Sequence, residues 1–316
     1  MTDRSKASAY GGEGWSPRTS TLRQEIGSVW SSCGVTSEWK RLKSVLIHRP
    51  GPEVESIADP DAVQMLSTPN ADTAREQHDA IANEYRKAGV SVFYIDPATK
   101  PPPNTMFVAD LLFMSAEGVI LSRPASTVRA GEERILAARL AKLGIPIIAS
   151  IRGSGTFEGA DALWINPETV IVGIGLRTNR EGARQVANHM KEMGVSVVQT
   201  NLPARSMHLM GLLRFADDDL AIGQIERTPK RVIEELRLHG FEVALLPYDD
   251  EVRRMSLNFV TLGPKHILMP ANCPLSQEYY EDLGINCQLV EISELAKAAG
   301  GIGCLTGILE RKTSSQ

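Results

Sequence analysis

Gly194-Val195-Ser196-Val197-Val198 decides the fold, because the same wording returns along the chain. A helix-like segment ends in glycine, and an apolar, β-branched run starts at once. The other copies are Gly89-Val90-Ser91-Val92, Gly144-Ile145-Pro146-Ile147-Ile148, Gly240-Phe241-Glu242-Val243-Ala244 and Gly284-Ile285-Asn286-Cys287. Each glycine suits the left-handed residue that closes a helix, so a strand is expected directly behind it. Successive glycines stand 55, 50, 46 and 44 residues apart, which is a repeat period.

Working outward, another strand precedes four of those helices: Val119-Ile120-Leu121, Thr169-Val170-Ile171-Val172, Leu220-Ala221-Ile222 and His266-Ile267-Leu268-Met269. A polar turn and a further apolar segment stand ahead of each, as in Leu111-Leu112-Phe113-Met114 and Ala162-Leu163-Trp164-Ile165. The unit reads strand, turn, strand, helix, strand. The first copy has only Ser44-Val45-Leu46-Ile47-His48 before its helix, so its missing strand is expected from elsewhere in the chain. Such units cannot bury their apolar faces alone, and an open row leaves bare edges. Closure into a ring is the simplest solution. A doubly wound parallel sheet is the main alternative, but it does not predict a hairpin ahead of each helix. The expected class is α/β, five units around a central channel on which equivalent loops converge.

The chain of 316 residues carries a formal charge of -4, with no cationic excess to neutralise nucleic-acid phosphates. No apolar run reaches membrane-spanning length, and no signal peptide opens the chain. Four dispersed cysteines without CxxC spacing point to a reducing cytoplasm and to no cysteine-based metal site. No cofactor is implied, and a homo-oligomer is left open. Residues 1–37, rich in Ser, Thr and Gly, read as a loosely ordered arm, with residues 38–316 as one domain. Trp15 and Trp30 in that arm could pin it to a partner subunit or let it close as a lid.

Chemistry gathers in loops that precede strands. Gly300-Gly301-Ile302-Gly303-Cys304-Leu305-Thr306-Gly307 offers a thiol among glycines, readable as a nucleophile loop or as a turn with a structural cysteine. Asp110 stands just before the strand 111–114, and Glu158 and Asp161 flank a small-residue turn. One of that pair could cap the turn while the other faces the channel. His208 leads into another strand, where a structural histidine is the alternative. Arg129 and Arg177 follow strands in matching places, either as solvated charges or as a fork for a carboxylate. Together these residues supply a nucleophile, a general acid and base, and carboxylates for a cation.

With those residues assembled, the chain resembles the guanidino-modifying penteins: arginine deiminases, amidinotransferases and dimethylarginine dimethylaminohydrolases. The resemblance runs from about Leu42 to Arg311 through an order of motifs. These are Phe107-x-x-Asp110, Arg123-Pro124 with Arg129, Glu158-Gly159-Ala160-Asp161, Arg177-Thr178-Asn179, His208-Leu209 and Gly300-Gly301-x-x-Cys304. It is nearest to the dimethylarginine hydrolase branch, including Arg75-Glu76-Gln77-His78, and implies a five-bladed α/β propeller. It also implies that Cys304 attacks a guanidinium carbon, that His208 protonates the departing amine and then activates water, and that Glu158 orients His208. Asp110 would bind a guanidinium nitrogen, with Asn104 and Phe107 also in the substrate site, and Arg129 and Arg177 would grip an α-carboxylate. The implied substrate is a small guanidino compound such as an N-methylated arginine, hydrolysed to citrulline and an amine. Amidino transfer and arginine deimination are the alternatives. Met210 stands where deiminases and amidinotransferases carry Asp and the dimethylarginine hydrolases usually carry Lys. Asn104 and Ala109 stand where the latter branch usually has acids.

Overall fold

A computed structural model describes residues 6–313. The glycine-closed helices form as the sequence predicts. Gly89, Gly144, Gly194, Gly240 and Gly284 all take φ between 69° and 87°. In each case the next residue's N–H reaches back to the helix, as Val90 N does to Tyr85 O and Val195 N to Met190 O, both at 2.9 Å. That is the Schellman closure, and the following apolar residue (Val90, Ile145, Val195, Phe241 or Ile285) is buried against the helix it ends.

Those helices (Ala71–Lys87, Glu132–Lys142, Arg180–Glu192, Lys230–Leu238 and Pro274–Asp282) carry the chain from a middle strand to a parallel outer one. Blade one holds β1 (Leu42–Ile47) and β2 (Ser91–Tyr94); blade two holds β3 (Leu112–Met114), β4 (Val119–Leu121) and β5 (Ile147–Ser150). Blade three is β6 (Ala162–Asn166), β7 (Thr169–Ile174) and β8 (Ser196–Asn201); blade four is β9 (Leu213–Phe215), β10 (Leu220–Gln224) and β11 (Glu242–Leu246). Blade five is β12 (Val260–Gly263), β13 (His266–Pro270) and β14 (Asn286–Val290). The missing strand of blade one is β15 (Gly307–Arg311), which pairs antiparallel with β1 and gives the order β15-β1-β2. The described residues thus form five three-stranded sheets of one pattern.

Burial orders each blade. The inner strands β3, β9 and β12 are buried throughout, whereas the outer β2 and β5 hold only exposed and half-buried residues. Polar links run around the inner strands. Trp164 Nε1 donates to Met114 O at 3.1 Å, Leu209 N to Asp161 Oδ1 at 3.0 Å, Thr261 Oγ1 to Phe215 O at 2.5 Å and Arg311 Nη1 to Thr261 O at 2.8 Å. The fold is the five-bladed α/β propeller.

The first 37 residues are not loose throughout. Ser31 N donates to Gly144 O at 3.0 Å, Gly34 N to Leu309 O at 2.8 Å and Val35 N to Ser115 O at 3.1 Å. Cys33, Val35 and Ser37 are buried, so the end of the arm is tied between blades one and two. Trp15 is exposed. Residues 1–5, which also belong to the expected arm, lie outside the described residues. No described helix is long and apolar enough to cross a membrane.

Candidate active site

The inner strands begin at one end of the ring, and the residues just before them carry the chemistry. Cys304 precedes β15, Asp110 precedes β3, Glu158 and Asp161 precede β6, and His208 precedes β9. The fifth member, before β12, is Asn258, which charge-based sequence reading missed. It stands two residues ahead of its strand, as Asp110 does ahead of β3, and that offset in the repeat was the available signal.

Asn258 holds the cysteine from two directions. Its Nδ2 donates to Cys304 Sγ at 3.2 Å, and its Oδ1 accepts from Cys304 N at 3.0 Å. Cys304 lies in a short helical turn, Ile302–Leu305. The preceding glycines are needed for space. A Cβ on Gly300 would lie 2.2 Å from the Phe107 ring, and one on Gly301 would lie 2.9 Å from Asn258. The left-handed residue of this segment is Ala299, with φ of 72°. Ala299, Met255, Arg205 and Gln64 all have positive φ and all line the hollows beside Cys304, so backbone strain gathers at the site.

The two acids of the β6 turn divide their work. Asp161 accepts from Leu209 N at 3.0 Å and from Thr178 Oγ1 at 2.6 Å, so it anchors the loop that carries His208. Burial pushes its carboxyl up to about 6. Glu158 faces His208, with Oε2 2.7 Å from Nε2, while its Oε1 accepts from Ala125 N at 3.1 Å and from Arg177 Nη1 at 3.5 Å. Burial alone would raise the Glu158 carboxyl, but the His208 hydrogen bond and the cations around it hold it down at about 2. For His208, burial opposes the charge, yet Asp110, the Glu158 hydrogen bond and Asp161 push the imidazole up to about 9. Cys304 moves the other way. Desolvation and then Asp110 push its thiol up to about 11, against the Asn258 hydrogen bond and Arg214.

The two arginines are unequal. Arg129 is 3% exposed and fully engaged: Nη1 donates to Asp110 Oδ2 at 2.5 Å, Nε and Nη2 to Glu132 Oε2 at 2.9 and 2.8 Å, and Nη2 to the Asn104 and Phe107 carbonyls. It organises carboxylates here and is not the open fork that the sequence suggested. Arg177 has Glu158 as its carboxylate partner and lines the hollow beside Asp110 and Cys304. Asn104 Nδ2 donates to Val63 O at 2.7 Å and so ties down the loop bearing Gln64, on the same hollow as Phe107. Ala109 is buried beside Gly159, where a Cβ would meet its carbonyl oxygen at 2.5 Å.

Asp110, Glu158 and His208 offer ligand atoms within 4.8 Å of one another. Arg129 Nη1 lies 2.5 Å from Asp110 and 3.7 Å from Glu158, so these carboxylates already have a cation beside them.

A family model described as arginine deiminase matches residues 96–227. The dimethylarginine dimethylaminohydrolase of Streptomyces coelicolor is 28% identical, over 84% of this chain and 96% of its own length. Two solved structures share the fold. A cysteine-to-serine mutant of the Pseudomonas aeruginosa dimethylarginine dimethylaminohydrolase, complexed with citrulline, has a TM-score of 0.72 at 22% identity and covers 86% of this chain and 100% of its own. An amidinotransferase of saxitoxin biosynthesis from Microseira wollei has a TM-score of 0.73 at 13% identity, covering 90% and 98%. The fold is the one these solved structures share, and the chain is similar to guanidino-modifying penteins, the dimethylarginine dimethylaminohydrolases among them.

Proposed function

We propose that the protein is a cysteine-dependent hydrolase that cleaves a C–N bond of a substituted arginine, giving citrulline and an amine. The observation that carries this reading is the delivery of Cys304, Asp110, Glu158, His208 and Asn258 from equivalent loops of the five blades. A guanidinium beside Asp110 brings positive charge to the sulfur, which lowers a thiol that otherwise stands at about 11, and the thiol proton leaves to water. The thiolate then forms a bond to the guanidinium carbon. His208, an imidazolium below about 9, gives its proton to the departing nitrogen as the C–N bond breaks. One ring nitrogen is committed to Glu158, which leaves the other for this transfer. The covalent thiouronium is released when His208, now neutral, takes a proton from water, the water oxygen bonds to the central carbon and the C–S bond breaks to return the thiolate. Arg177 is the better placed of the two arginines to hold the substrate carboxylate, with Asn104 and Phe107 on the same wall.

Amidino transfer is the second reading, because a cavity of about 340 Å³ opens onto both Cys304 and His208 and gives a second amine room to enter. Four free cysteines fit a reducing compartment such as the cytoplasm. The test is incubation with arginine, methylated arginines, agmatine and guanidinoacetate, following released amine and the mass of a trapped adduct. Citrulline with dimethylamine is the expected outcome. Product that forms only when an amine is added decides for transfer, and unchanged turnover by Cys304→Ser ends the mechanism.

A further inference from the structure

Cys304 borders two hollows of different size and chemistry. The one beside Asp110 and Arg177 is tight, about 20 Å³, whereas the one lined by His208 and Asn258 measures about 340 Å³. The proton donor must stand beside the nitrogen that departs, so whatever that nitrogen carries is directed into the hollow that His208 lines. Ammonia or dimethylamine leaves most of that space unfilled, since a liquid water occupies only about 30 Å³.

The walls describe a larger group. Met207, Met210 and Met255 supply an adaptable apolar surface near the sulfur. Arg205 and Arg227 line the same hollow, and among the described residues neither is in an ion pair with a carboxylate. Arg227 is half-buried, and its Nη2 donates only to neutral oxygens, Ala204 O at 3.2 Å and Ser206 Oγ at 2.8 Å. Arg205 is held at φ of 63° three residues before His208. The acid on this wall, Asp249, accepts from Gln224 Nε2 at 3.3 Å. Half-buried guanidinium without a carboxylate is a binding group for one.

We infer that this hollow binds the substituent of the leaving nitrogen and that this substituent ends in a carboxylate. The preferred substrate class is then an arginine whose terminal nitrogen bears a carboxyalkyl chain, and the amine released is an amino acid. The inference rests on the function proposed above and names the substrate class of that site. The steps balance as before: sulfur bonds to the guanidinium carbon, the bond from that carbon to the substituted nitrogen breaks, the nitrogen takes the His208 proton, and water later replaces sulfur to give citrulline.

The test compares three substrates that differ only at the terminal nitrogen: methyl, propyl and 2-carboxyethyl. The carboxyethyl compound should exceed the propyl compound in kcat/KM by about tenfold or more, the weight of a charge-assisted hydrogen bond. Arg227→Gln should remove most of that ratio. A second measurement needs no variant: β-alanine should inhibit the wild-type protein competitively at a lower concentration than propylamine. Equal kcat/KM for the propyl and carboxyethyl compounds, or equal inhibition by the two amines, overturns the inference while turnover of methylarginine leaves the hydrolase reading standing. Absence of any adduct on Cys304 with all three substrates overturns the hydrolase reading itself.

Discussion

Asn258 and Cys304 form the smallest working unit of the site. The amide grips both the sulfur and the backbone N–H of the cysteine, so it sets where the proposed nucleophile points. Asn258→Ala should lower kcat by about 10²-fold, with a smaller effect on KM, because misplacing the attacking atom costs rate more than binding. Single-turnover kinetics with mass detection of the adduct checks this, and an unchanged rate of adduct formation would show that the grip does not matter. The ionisation of the thiol gives a second expectation. With the thiol pushed up to about 11, alkylation of Cys304 by iodoacetamide in the free protein should be slow at pH 7 and climb steadily toward pH 11. A bound amidinium should speed it at pH 7. Peptide mapping isolates this residue from Cys33, Cys273 and Cys287, whose thiols burial also raises. A plateau already reached at pH 7 would mean that the free protein holds a thiolate.

At the scale of elements, glycines serve two different needs. Gly194 closes the helix Arg180–Glu192 at φ of 77°, and a Cβ there would meet nothing within 4 Å. Gly194→Ala should therefore cost only the left-handed penalty, about 1–2 kcal/mol of stability by denaturant unfolding, and leave turnover intact. Gly300→Ala should act in the opposite sense: the Phe107 ring is in the way, so the helical turn of Cys304 must shift and turnover should fall at least ~10²-fold. A Gly300→Ala protein with full activity would show that the turn has slack. The contrast also explains what the sequence disclosed. Helix-closing glycines are read easily because a left-handed residue followed by a buried apolar one is a local rule, and it repeats at Gly89, Gly144, Gly194, Gly240 and Gly284. The need at Gly300 is set by Phe107, nearly two hundred positions away, and no local rule reports it. Asn258 escaped because charge was the search criterion, although its offset from β12 matches that of Asp110 from β3. Arg129 kept its charge in view but not its partners, though Glu132 three residues on was a hint at the pairing the structure contains. Cys33 and Val35, two apolar residues in a polar arm, are buried where backbone hydrogen bonds to Leu309 and Ser115 hold the arm between blades one and two, a long-range contact that no local pattern reports.

Asp110, Glu158, Asp161 and His208, all buried, stand just before the inner strands of blades two, three and four. The C-terminal β15 completes blade one directly after the turn that bears Cys304, so the pairing that closes the ring also places that residue. Inside that closed ring the Glu158–His208 pair ties blade three to blade four, and its ionisation links stability to pH. The imidazole stands at about 9 in the folded protein against an ordinary 6.5, despite the burial that opposes it. A raised folded value stabilises the fold fully below the unfolded value, and the benefit is lost as pH rises from 6.5 through about 9. The carboxyl, held at about 2 against an ordinary 4.5, acts at the other end, with its benefit present above 4.5 and lost as pH falls through about 2. Asp161 opposes this at intermediate pH, since burial raises it to about 6 and its ionisation costs stability on the way there. Comparing wild type with His208→Gln separates the histidine from that background. The stability gap between the two should be widest below pH 6.5, on the order of 3 kcal/mol, and should narrow steadily up to pH 9. Urea unfolding at half-unit pH intervals measures it. A gap that stays constant across that range would mean that His208 is held by packing alone and that its charge contributes nothing to closing the ring.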